Sequence, residues 1–258
     1  MTRVLQQRIT GTGLPMVLLH GWGLNSGVFD HLLPLLSQQY SVHLIDLPGF
    51  GDNSDMPLGP LSDVARLIAA NIPDGSIVIG WSLGGLIAQQ LALQHPAAVS
   101  RLVTIASTPH FMQDDEGWLG IAPNVLGMFE QQLAHDYKKT IQRFLAIQAM
   151  GSLSAKQDIH AIKHAIAAYP DPCEASLLTG LQLLQDVDLR EQISAITQPT
   201  LRLYGRLDAL IPHQVVPVIA ELQPKAQHVV MEHVSHAPFI SDKAATCAHI
   251  LSFLSAHR

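Results

Sequence analysis

The run from Ser76 to Gly84, SIVIGWSLG, constrains the fold more tightly than any other stretch of the chain. Its first residues read as a short buried strand, and Leu83 onward reads as a helix, so strand and helix must meet in a sharp turn at Ser82. Glycines at 80 and 84 remove the side chains that would collide in such a turn, and the resulting G-x-S-x-G pattern is that of a nucleophile elbow. The turn lifts the Ser82 hydroxyl clear of the sheet. A helix starting near Leu83 then directs unpaired N–H groups, and the positive end of its dipole, toward charge developing beside the serine. A Gly/Ser turn without chemistry is the simpler alternative, and the remaining sequence has to decide between them.

The flanking pattern is an α/β alternation. Strands are expected at MVLLH, SVHLIDL, SIVIGW and RLVTIAS, separated by helices near Asn25 to Gln38, Leu61 to Asn71 and Leu83 to Gln94. The rhythm returns after Pro199 as TLRLYG, a helix near Val215 to Leu222, HVVMEH, and a terminal helix from about Asp242 to His257. Compact Val/Ile/Leu runs between helices describe a mainly parallel sheet covered on both faces, with ligands expected at the carboxyl ends of its strands. Between about His110 and Leu189 the strand signal disappears. Phe129, Leu133, Ile141, Phe144, Leu145 and Gln148 instead recur at one or two helical turns, with Gly151 as a break before another helix. That segment reads as a cap over the active edge, or alternatively as helices that extend the core.

Composition removes several function classes. The formal charge of −6 argues against nucleic acid as a partner, because a phosphate backbone rewards clustered Lys and Arg. Cys173 and Cys247 form neither a metal-ligand spacing nor a disulfide framework, and no H-E-x-x-H occurs, so neither a metal nor a cofactor is expected. The glycines at 11, 13, 21 and 23 do not form G-x-G-x-x-G after a strand, which argues against a nicotinamide fold. With no apolar leader in MTRVLQQRIT and no long apolar run, a soluble cytoplasmic protein without a membrane partner is expected, and a monomer for want of sustained heptads.

A serine nucleophile needs a base, and the base an orienting carboxylate. Among 14 histidines, His236 in SHAPF follows the last strand, where the chain order nucleophile, acid, histidine requires the base; His233 competes from nearer the strand. For the acid, Asp208 in LYGRLDALIP lies just past a strand, although it also suits a turn or a helix entry. Asp186 and Asp188 precede the next strand, at the wrong end for a loop facing the serine, and Asp46 in LIDLPGFG more simply braces its own loop. Oxyanion donors are expected from the backbone N–H of Leu83 and of Trp22, the latter in the HGWG turn, with His20 as a supporting hydrogen-bonding residue. Trp22 also suits a buried aromatic on the pocket floor.

With these residues in place, the chain resembles the α/β-hydrolase superfamily over nearly its full length. More narrowly it is similar to the esterase family that acts on a methyl-esterified pimeloyl chain carried by acyl-carrier protein in biotin biosynthesis. VLLHGWGLN, HLIDLPGFG, IGWSLGGL, RFLAIQAMG, DVDLR, LRLYGRLD, IPHQVVP and SHAPFIS carry the likeness, GWSLGG together with RFLAIQAMG being the most specific. The resemblance implies an α/β-hydrolase fold: a mostly parallel central sheet flanked by helices, with a helical cap inserted after the sixth strand. It divides the chain into a core of residues 1–109 and 190–258 and a cap of residues 110–189. It gives Ser82, Asp208 and His236 the catalytic roles, Trp22 and Leu83 the oxyanion positions, and Trp22, Trp81, Phe144 and Gln148 the substrate contacts. Lys139, Arg143, Lys156 and Lys163 on the cap are a candidate dock for an acidic carrier, or else a solvated helical face. Where that family's cap favours arginine, this chain has Lys139, Lys156 and His160, which lack the rigid bidentate fork. A broad short-acyl carboxylesterase and a ligand-binding receptor that does not turn over are the competing functions.

Overall fold

The computed structural model describes residues 4–133, 135–148 and 155–257. Among the described residues seven strands form one sheet in the order β1-β3-β2-β4-β5-β6-β7. They are β1 (Gln7–Thr10), β2 (Leu14–Leu19), β3 (Tyr40–Ile45), β4 (Ser76–Trp81), β5 (Val99–Ile105), β6 (Thr200–Gly205) and β7 (Gln227–Met231). All neighbours run parallel except β1, which pairs antiparallel with β3 at the edge. Strand β4 is buried along its whole length, as a central strand covered on both faces must be. Its carboxyl end is therefore fixed by packing on every side.

The helices are α1 (Leu33–Leu36), α2 (Leu61–Ala69), α3 (Leu83–Gln94), α4 (Pro123–Leu133), α5 (Tyr137–Gln148), α6 (Ala155–Ile166), α7 (Glu174–Asp186), α8 (Val216–Leu222), α9 (Pro238–Ser241) and α10 (Lys243–Ala256). Helix α3 packs on β4 and β5, with α2 beside it. Among the described residues four helices, α4 to α7, lie between β5 and β6; α6 rests on α9 and on the 3₁₀ turn at Ser26–Phe29, and α7 touches α3. The cap helices thus sit on segments that leave the carboxyl ends of the strands.

Helical segments leave the sheet after β5, as α4 to α7, and after β6, as the 3₁₀ turn at His213–Val215 and α8. One expectation changes, and one strand was not anticipated. The single helix expected near Asn25 to Gln38 is instead a 3₁₀ turn followed by the four-residue α1. There the Asn25 side chain accepts the Gly27 N–H at 3.1 Å, and Pro34, with no N–H to donate, suits a helix's first turn. The edge strand β1 carries little apolar signal, since half of it faces solvent. The break expected at Gly151 lies outside the described residues. Among the described residues no helix is long and apolar enough to cross a membrane.

Candidate active site

Strand β4 ends at Trp81 and α3 begins at Leu83, leaving Ser82 alone to reverse the chain. Its backbone adopts φ 54° and ψ −118°, a left-handed conformation that a residue with a Cβ rarely occupies and that costs about 1–3 kcal/mol. The strain persists because the neighbours fix it. The Ser82 N–H donates to Ile105 O at 3.0 Å, the Ser107 hydroxyl donates to Ser82 O at 2.8 Å, and the Gly85 and Leu86 N–H groups reach the same carbonyl. A Cβ at Gly80 would overlap the Gly84 carbonyl, and one at Gly84 would overlap the carbonyls of Leu19 and His20, so the glycines let helix, turn and β2 approach this closely.

Two loops from other strands converge on the elbow. His236, two residues before α9, places Nε2 3.0 Å from Ser82 Oγ, while its Nδ1 lies 2.7 Å from Oδ2 of Asp208 in the loop after β6. Oδ1 of Asp208 accepts the N–H groups of Leu210 and Ile211 at 2.8 and 3.1 Å, so both carboxylate oxygens are engaged and the carboxylate is held in one orientation. A carboxylate only accepts, so the Nδ1 proton points at Asp208 and the Nε2 lone pair faces the serine hydroxyl. The Asp208 and His236 side chains are fully buried. The competing residues lie elsewhere: His233 and Asp186 are exposed, Asp188 pairs with Arg190, and Asp46 accepts the N–H of Asp52 in its own loop and that of Ser26 in the turn after β2.

Beside this relay the backbone N–H groups of Trp22 and Leu83 have no backbone acceptor among the described residues. The HGWG turn presses against the elbow: a Cβ on Gly21 would sit 3.3 Å from the Ser82 Cβ. A hydroxyl with an imidazole acceptor, on an elbow against which a glycine turn packs, is an arrangement suited to acyl transfer.

The alpha/beta hydrolase fold family matches residues 15–243. The chain belongs to that family. The pimeloyl-[acyl-carrier protein] methyl ester esterase of Aeromonas hydrophila is 50% identical over 236 residues, 90% of this chain and 91% of that protein. The protein of the same name from Aliivibrio fischeri is 43% identical over 257 residues, the full length of both. Among solved structures, an esterase from Exiguobacterium antarcticum superposes with a TM-score of 0.84 over 97% of this chain and 95% of its own, at 22% identity, a likeness of fold.

The cap contributes contacts that few sequence signals in this α/β hydrolase foretell. The Trp22 indole N–H donates to Leu177 O at 2.7 Å, and its ring meets Phe144 edge-on at a centroid distance of 4.8 Å. The carbonyl of Gln148 accepts the His236 N–H at 3.1 Å, and the Gln148 side-chain amide is buried with neither its oxygen nor its nitrogen hydrogen-bonded among the described residues. Trp81 is fully buried and donates its indole N–H to the His236 carbonyl at 2.7 Å, which ties the relay to β4. Ser107 and Leu177 were missed in the sequence. Ser107 stands at the end of a strand, a signal available in RLVTIAS, but Leu177 acts through its carbonyl, to which side-chain chemistry gives no clue.

On the outer cap, Lys139, Arg143, Lys156, His160 and Lys163 are exposed. Lys138 pairs with Asp171 at 2.9 Å, whereas Asp158 is buried and accepts the Ser241 hydroxyl at 2.6 Å, so this acid is withdrawn from the surface. Lys163 and Lys138 border a cavity of about 240 Å³ between α5, α6 and the loop after Trp22, whose lining includes Gly23, Leu24 and Leu145 but neither Ser82 nor His236.

His20 is fully buried; burial pushes its pKa below the usual histidine value against the opposing charge of Asp46, and burial lowers that of His43 as well. Both are held neutral, so the unfolded chain takes up protons that the folded chain resists. Stability is expected to be fully present above about pH 6.5, the unfolded histidine value, and to fall as pH drops toward the lowered folded values, by on the order of 1 kcal/mol per pH unit for His20. Urea unfolding at pH 7 and pH 5 measures this; equal midpoints would contradict it.

Proposed function

We propose that this chain is a serine carboxylesterase that hydrolyses the methyl ester of pimeloyl-[acyl-carrier protein], releasing methanol and pimeloyl-[acyl-carrier protein] in biotin biosynthesis. The relay with Ser82 Oγ 3.0 Å from His236 Nε2 carries the reaction class, and identity of 43–50% to esterases of that name supports the substrate. In this reading Ser82 Oγ attacks the ester carbonyl carbon as its proton passes to His236 Nε2, and Asp208 stabilises the imidazolium. The carbonyl oxygen becomes the oxyanion, held by the Trp22 and Leu83 N–H groups. As the tetrahedral species collapses, His236 returns the proton to the departing methoxide, giving methanol. Water then gives a proton to His236 and attacks the acyl-serine, and the free carboxylic acid leaves as the proton returns to Ser82.

Residues 110–189 act as a cap on a core of residues 1–109 and 190–258. Trp22, Phe144 and Gln148 contact the acyl chain, the Gln148 amide, unpaired among the described residues, offering it a polar partner, while Trp81 acts through His236. Lys139, Arg143, Lys156 and Lys163 form the dock for the acidic carrier in the cytoplasm; charge complementarity of this kind chiefly raises the rate of encounter. Lysines supply charge without the bidentate fork of arginine, so docking should weaken steeply with salt.

Methanol release from the methyl ester of pimeloyl-carrier protein, compared with the same acyl group on a small thiol, tests the reading. The carrier substrate is expected to have the higher kcat/KM, and K139E with R143E to raise KM for the carrier substrate about tenfold while leaving the small thiol ester unchanged. Equal efficiency on both substrates would remove the carrier dock but leave the esterase. Absence of methanol from either would overturn the proposed activity.

A further inference from the structure

His20 ends β2's run into the HGWG turn, and the chemistry above gives it no part. Its side chain nonetheless makes two directional contacts in a fully buried position: Nδ1 lies 2.8 Å from Gly21 O, and Nε2 lies 2.9 Å from Leu47 N. The Leu47 N–H can only donate, so Nε2 accepts and the proton of the neutral ring resides on Nδ1, which donates to the Gly21 carbonyl. That carbonyl belongs to the same planar peptide unit as the Trp22 N–H, and in a trans peptide the two point in opposite directions. Fixing one fixes the other.

The orientation of the unit is set by ψ of Gly21 and φ of Trp22, and with no Cβ on Gly21 the first of these has little intrinsic preference. Rotation of the plane would turn the Trp22 N–H away from the elbow and bring a carbonyl oxygen toward the place where negative charge forms. The Trp22 indole, tied to Leu177 O, fixes the side chain but not the peptide plane before it. His20 in turn is held through Leu47, beside the Asp46 carboxylate, with Phe50 edge-on to its ring at 5.6 Å.

We infer that His20 is a positioning residue, whose Nδ1–H holds the Gly21 carbonyl so that the Trp22 N–H faces the oxygen of the tetrahedral intermediate. The inference rests on the proposed assignment of Ser82 as nucleophile and Trp22 N–H as oxyanion donor. It makes the β3 loop, through Leu47 and His20, part of the support of the reaction centre. Its sign is specific: what matters is a donor at the Nδ1 position, and an acceptor at the Nε2 position serves only the fold.

Two substitutions separate these contacts. His20→Asn places an amide N–H where Nδ1 was, and His20→Gln reaches the Nε2 position, where its oxygen can accept from Leu47. With p-nitrophenyl butyrate as probe, H20Q is expected to lose about 10²-fold in kcat with KM within about twofold, the effect of losing one oxyanion donor. H20N is expected to recover to within about tenfold of the parent, although its melting temperature is no higher than that of H20Q. Equal losses in both variants, or a loss confined to KM, would overturn the inference. Should neither variant fold, ¹⁵N NMR of the histidine-labelled parent decides: a neutral His20 protonated at Nδ1 supports the assignment, and protonation at Nε2 overturns it. S82A, measured in parallel, separates the two readings, since its full activity would refute the nucleophile assignment, whereas a His20 failure with S82A inactive leaves that assignment standing.

Discussion

Ser82→Ala is expected to lower kcat for ester hydrolysis by about 10⁶-fold while the protein folds as before. The backbone of residue 82 makes its contacts through N–H and C=O, to Ile105, Ser107, Gly85 and Leu86, and none of these needs the hydroxyl. What disappears is the oxygen 3.0 Å from His236 Nε2, and with it the covalent route. In the proposed mechanism, residual turnover would come from water attacking a carbonyl polarised by the Trp22 and Leu83 N–H groups. Because residue 82 sits at φ 54°, Ser82→Gly should also be inactive yet more stable than the parent, by about 1 kcal/mol, since glycine alone occupies that region without strain. Initial rates on p-nitrophenyl butyrate and urea unfolding of the three proteins check both halves. Alanine activity within a hundredfold of the parent would exclude Ser82 as the nucleophile, and a glycine variant less stable than the alanine variant would contradict the strain.

The parts of this molecule that could be read in advance are those with a local cause. The elbow announces itself because two glycines must bracket a turn between β4 and α3 where Cβ atoms would strike carbonyls of the same turn and of β2. Asp208 and His236 could be selected by position after a strand, and the structure brings both within hydrogen-bonding distance of the relay. Other features have causes spread over distant sequence. Edge strand β1 is half solvated and so lacks the apolar run that marks central strands. The chain between Asn25 and Gln38 has helical apolar spacing, but an Asn25 side chain turned onto the Gly27 N–H and a proline at 34 break it into short turns. Least legible were contacts through backbone carbonyls: Gln148 O to His236, Leu177 O to Trp22 and Gly21 O to His20 depend on where a main chain passes, which side-chain patterns do not encode. The cap therefore read as a cover, while its backbone also holds His236 and the Trp22 indole.

Asp208→Asn tests whether the carboxylate sets the tautomer of His236 or merely fills space, and the surrounding hydrogen bonds fix the outcome expected. Oδ1 receives two N–H groups, from Leu210 and Ile211, and Oδ2 faces His236 Nδ1 at 2.7 Å. In the asparagine variant the amide oxygen must stay with the two backbone donors, because turning the NH₂ toward them would set donor against donor in a buried site. The NH₂ then faces Nδ1, which can meet it only as an acceptor. The imidazole proton moves to Nε2, and the atom that should take the Ser82 proton presents one of its own. A loss of about 10⁴-fold in kcat is expected with little change in KM or in the unfolding midpoint. ¹⁵N chemical shifts of His236 should move from the Nδ1–H to the Nε2–H tautomer in the same variant. Asp208→Ala separates the two contributions: it too should be inactive, but it leaves the Leu210 and Ile211 donors buried without an acceptor and should cost about 2 kcal/mol or more in stability. An asparagine variant that keeps its activity within tenfold of the parent, with the Nδ1–H tautomer unchanged, would show that Asp208 does not orient the base.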